Sequence, residues 1–66
     1  MHAAEKGQRY ARIFRKAGTF LSKGKIARAV EVLKEGQALA QEHGDAGMAR
    51  RFADEIAAAG KPPSGE

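Results

Sequence analysis

Apolar residues recur along this chain with a helical period, and glycines interrupt the pattern at three points. Over 4–22, Tyr10, Ile13, Phe14, Ala17, Phe20 and Leu21 fall in one arc about 120° wide when successive residues are set about 100° apart. Arg9, Arg12, Arg15, Lys16 and Lys23 fall on the opposite side. The pattern stops at Gly24, which can take the left-handed conformation favoured at a helix C-terminus, and Lys23 suits the negative end of the helix dipole. It restarts at once: Ile26, Ala29, Val30, Leu33, Gly36 and Ala40 form a second stripe over 25–42, with Val32 and Leu39 on its flank. That apolar surface is broader than a two-helix hairpin requires, so this helix is expected to contact the first helix on one side and another element on the other. Gly44 stops it, and Asp45 is a good N-cap for a third helix over 46–59. Met48, Phe52, Ile56 and Ala59 make the third stripe, with Ala49 and Ala53 beside them and Gly60 as the cap. The segment 61–66 holds no apolar residue except its prolines and is expected to be a disordered tail.

These signals predict one all-α domain over 4–60, a three-helix antiparallel bundle with tight corners at Gly24 and Gly44. Gly18 and Gly36 lie inside helices, where glycine costs about 1 kcal/mol relative to alanine. Close approach of another backbone is the expected compensation at Gly18, and Gly36 places a bare backbone on the main stripe of the second helix. Arg50–Asp54 and Arg51–Glu55 have i,i+4 spacing on the outer face of the third helix.

Composition narrows the possibilities. At 66 residues the chain buries only roughly 60% of its unfolded surface, so its stability margin is thin and an external partner would help. It has no cysteine, which excludes disulfides and thiolate metal sites. Its two histidines, His2 and His43, do not make a metal site, and His43 suits a helix C-terminus. Arg9, Arg12, Arg15 and Lys16 interrupt the first apolar run, unlike a signal peptide, and no uncharged stretch nears the roughly 20 residues of a membrane span. A soluble cytoplasmic protein is expected. The net charge of +4 is unevenly placed: residues 1–28 carry eight basic residues against one acidic, and residues 29–66 four against seven. Such asymmetry points to an acidic partner for the front half, or to self-association.

The third helix loosely repeats the first. A shift of 39 residues places Ile13 on Phe52, Ala17 on Ile56 and Phe20 on Ala59. Ile13, Ala17, Phe20, Gly24, Ile26, Ala29, Leu33 and Gly36 resemble the tetratricopeptide repeat, in which a helix-turn-helix hairpin carries residues of these types at these places. The segment 39–45, followed by Ala49, looks like the longer-period variant of bacterial regulatory repeat proteins. The resemblance covers about 10–58 and implies one and a half units: a hairpin plus a capping helix. Lys16 departs from the family pattern, the proline at the end of its second helix is absent, and only one complete unit is present where about three normally stack.

The resemblance implies a non-enzymatic protein-interaction module. The family's concave surface would here be lined by Ala11, Phe14, Gly18, Leu21 and Ser22. Phe14 and Gly18 stand where the chaperone-binding members clamp a carboxylate, so an apolar groove fringed by Arg15 and Lys25 is expected instead. It would suit an amphipathic helix or peptide with acidic flanks, or a second copy of the chain. The plain alternative for Phe14 and Leu21 is a place in the core or in a dimer seam.

Arg9, Arg12, Lys16 and Lys23 form a basic stripe that could meet RNA or non-specific DNA. Against specific reading stand the absence of asparagine and only four aromatic residues, of which Tyr10, Phe20 and Phe52 are expected in the core. Thr19, Ser22, Ser64 and the two histidines offer no nucleophile with a base, and no cofactor is implied. The first helix is basic and amphipathic, as membrane-surface helices are, but its apolar face is claimed by the other two helices.

Overall fold

A computed structural model describes residues 3–60, with side chains from Gly7 onward. Three helices are present: α1 (Ala3–Ser22), α2 (Ile26–Glu42) and α3 (Ala46–Gly60). The domain is all-α, a three-helix bundle. The segment expected to form a tail, 61–66, lies outside the described residues.

Both corners use the same hydrogen-bonding device. Gly24 has φ 76° and Gly44 φ 69°. At the first corner the Gly24 N–H donates to the Leu21 carbonyl at 3.0 Å and the Lys25 N–H to that of Phe20 at 2.8 Å. At the second, the Gly44 N–H donates to Gln41 at 3.0 Å and the Asp45 N–H to Ala40 at 2.8 Å. Each pair closes the last helical turn onto a left-handed glycine, satisfying carbonyls the helix would leave open. The corners differ in how the next helix begins. Asp45 Oδ1 accepts from the Met48 N–H at 3.2 Å, as an N-cap should. Lys25, at the matching position before α2, makes no side-chain cap.

The central element is α2, against which both α1 and α3 pack. Tyr10, Ala17, Val32, Leu33, Ala40 and Phe52 form the buried cluster. Ile13, Phe14, Phe20, Leu39, Met48, Ala49, Ile56 and Ala59 are partly buried around it. Phe52 is fully buried, and its ring lies against the backbone of Gly36. Aromatic rings join α1 to α3: Phe14 stacks on Phe52 at 4.4 Å with 7° between planes, and Tyr10 meets Phe52 edge-on at 5.8 Å and 65°.

Two packing expectations are corrected. The buried stripe of α2 is Ala29, Val32, Leu33, Gly36 and Ala40, while Val30 is half-buried and Ile26 is 43% exposed. The contact arc of a helix gripped from two sides is centred between its neighbours, which brings Val32 in and leaves Ile26 out. No backbone of another element approaches Gly18 among the described residues: a Cβ placed there would meet nothing of theirs within 4 Å. Gly36 has the close contact instead, made by an aromatic side chain.

Candidate functional site

The residues expected to bind a partner lie mostly on the open flank of α1. Ala11, Arg15, Gly18 and Lys25 are exposed, and Leu21 is 36% exposed at the end of the helix. Leu21 and Ile26 are exposed large apolar side chains on either side of the Gly24 corner. Ala11 and Gly18 present little beyond backbone, so this flank is bare up to Leu21.

Phe14 is different. It is half-buried and packed against the core. One ring stacks on another with Phe52, and the Arg51 guanidinium carbon lies over the Phe14 ring at 5.1 Å from its centroid. Phe14 is thus tied to α3 by both contacts, with Arg51 covering its ring, and is held in the packing rather than offered on the open flank. Spacing in the sequence pairs Arg51 with Glu55 and gives no sign of this contact. Only the approach of α3 to α1 places an aromatic face within its reach.

On the other flank of α1, Arg9, Arg12, Lys16 and Lys23 are all exposed. With Thr19 they follow a 3,4,3,4 spacing, which keeps them in one row along the helix. A matching row runs along α2: Glu31, Glu35, Ala38 and Glu42, spaced 4,3,4 and all exposed. Arg9 from the first row and Glu35, Ala38 and Glu42 from the second line a groove between α1 and α2 of about 360 Å³, together with Ile13 and Leu39. No α3 residue lines it. Its α1 side carries the charge of Arg9, its α2 side the charges of Glu35 and Glu42, and half-buried Ile13 and Leu39 form the floor. The spacing of the glutamates was open to inspection in the sequence, but their place opposite Arg9 depends on the hairpin.

A smaller group gathers at the second corner. A depression of about 350 Å³ is lined by Gln41, Gly44, Asp45, Ala46 and Ala49. The Tyr10 hydroxyl is buried without a well-formed hydrogen bond, and so is Nε2 of His43. Burial, and then the nearby Asp45 carboxylate, hold the Tyr10 pKa above its usual value, because both disfavour the phenolate. Among the described residues no three His, Cys, Asp or Glu side chains converge on a metal position. No helix among them is long and apolar enough to cross a membrane.

Comparison of the chain with protein-family models, curated proteins and solved structures finds no match. The class of protein is therefore set by its fold, an all-α three-helix bundle, and the tetratricopeptide resemblance rests on the residues that carry it.

Proposed function

We propose that this chain is a non-enzymatic protein-interaction module, built like a tetratricopeptide hairpin with a capping helix. It holds an amphipathic helix or peptide with acidic flanks against the open flank of α1. Gly18 carries this reading. A glycine inside a helix costs about 1 kcal/mol against alanine. At Gly36 the Phe52 ring takes the space of a side chain, but at Gly18 no group among the described residues does. A bare helical surface of that kind admits the close approach of a second helix. Leu21 supplies an apolar anchor beside it, and Arg15 and Lys25 add positive charge at the fringe.

Anisotropy titrations with two labelled amphipathic helical peptides, identical but for acidic or basic flanks, test the reading. The acidic peptide should bind, and Gly18→Leu should abolish binding without lowering the melting temperature. Failure of both peptides to bind up to about 1 mM, where association is worth only ~4 kcal/mol, removes the proposal.

Nucleic-acid binding is the second reading, supported by the exposure of Arg9, Arg12, Lys16 and Lys23 in one row. Glu35 and Glu42 on the facing rim weigh against it, since they would repel a phosphate backbone entering the groove. If the row binds phosphates, affinity for a labelled RNA will fall steeply with added salt, and Arg12→Glu with Lys16→Glu will eliminate it.

A further inference from the structure

We infer that the α1–α2 groove is a homodimer interface: a second copy of this chain lays its own groove against it, each basic α1 row over the other's acidic α2 row. This surface lies apart from the flank used in the proposed function, since Gly18 and Lys16 are about 160° apart around α1.

The argument rests on symmetry and charge. Two copies of an antiparallel hairpin can face each other about a two-fold axis in two simple ways. An axis across the helices sets α1 over α1 and α2 over α2, which brings like charges together. An axis parallel to the helices sets α1 of each copy over α2 of the other. Arg9 then faces Glu35 and Glu42 twice over, with exposed Arg12, Lys16 and Glu31 continuing the two rows beyond the groove. This second arrangement preserves height along the helices. Arg9 already borders the same stretch of groove as Glu35 and Glu42, so the second copy's Arg9 arrives level with those carboxylates. The 3,4 spacing of both rows keeps them parallel, and it is the spacing with which paired helices meet. Ala38, exposed between Glu35 and Glu42, leaves room for the facing helix. Ile13 and Leu39 provide the apolar strip beneath, so the assembled pair would be a four-helix seam with an apolar floor and charged margins. Charge complementarity also selects the occupant. A uniformly acidic or basic partner would match one rim and be repelled by the other, whereas this chain carries both signs in the needed order.

Sedimentation equilibrium of the full chain at low and high salt tests the inference, with two charge-reversed variants. Glu35→Arg with Glu42→Arg leaves only basic charges lining the groove, and Arg9→Glu with Lys16→Glu leaves only acidic ones. The parent chain should show twice the monomer mass at low salt and lose part of its association at high salt. Each variant alone should be monomeric, and an equimolar mixture of the two should recover the dimer. Ala38→Arg, an exposed substitution, should also yield a helical monomer and serves if a double variant fails to fold. A parent chain that stays monomeric at low salt overturns the inference. So do variants that still self-associate, or a mixture of folded variants that does not pair. A parent monomer that instead gains mass only with added RNA assigns the basic row to nucleic acid.

Discussion

The Phe52 ring occupies the space that a side chain at Gly36 would need: a Cβ built on Gly36 would stand 2.8 Å from Phe52 Cδ1, and closer still to the ring edge. The contact joins the middle of α2 to the middle of α3 at the centre of the bundle. Gly36→Ala is therefore expected to cost about 1–3 kcal/mol, because Phe52 is fully buried and stacked on Phe14 and cannot give way freely. Thermal denaturation followed by circular dichroism reads it as a lowered midpoint.

Gly18→Ala should do the opposite. The added methyl meets nothing, and helix propensity favours alanine by up to about 1 kcal/mol. A raised midpoint is the expected result. An unchanged or lowered one would show that Gly18 has an internal packing role after all.

The corner glycines should tolerate only one hand. Gly24→Ala and Gly44→Ala place an L side chain at positive φ and should each destabilise by about 1–2 kcal/mol. A synthetic chain with D-alanine at either position should lose none of that, since positive φ is the ordinary region for a D residue. Chemical denaturation of the L and D forms compares them directly.

Tyr10 ties stability to alkaline pH. Its folded pKa is raised above 10.0, so the native state binds the phenolic proton more tightly than the unfolded chain does. The contribution is fully present below pH 10 and is lost as pH rises through the higher folded value. Tyr10→Phe should remove that part of the alkaline loss while keeping the edge contact with Phe52. Urea denaturation at a series of pH values from neutral to alkaline measures the difference between parent and variant. Parallel curves would contradict it.

Phe14 and Arg51 form a graded pair. Arg51→Ala should cost less than about 1 kcal/mol, the range of an exposed cation over a ring. Phe14→Ala should cost about 2 kcal/mol, below the ~3–5 of a fully buried ring, because Phe14 is only half-buried. The double variant measured by the same denaturation gives their coupling. Purely additive losses would mean that the guanidinium gains nothing from the ring.

Much of this architecture is legible in the chain itself, residue by residue. The helices over 4–22, 25–42 and 46–59 match α1, α2 and α3 to within a residue or so at each end. Asp45 caps α3 as expected, and Tyr10 and Phe52 are in the core. The periodicity puts Val32 on the flank and Ile26 in the stripe, whereas Val32 is buried and Ile26 is open. The candidate site was only partly legible. The exposure of Arg15 agrees with the charged side of α1, whereas open Gly18 and Leu21 depart from the apolar arc and close approach expected of them, and the Arg51 cover on Phe14 and the two-signed groove do not appear until the helices meet.

The dividing line is physical. Periodicity, capping and the left-handed freedom of glycine act within a few residues of one another, so the amino-acid order alone determines three helices, their ends and two corners. Which side of α2 is buried, why Gly36 must be bare, and which charges share a groove all depend on where α1 and α3 settle around α2. Those positions are decided by packing between residues far apart in the chain, and only the assembled bundle contains that information.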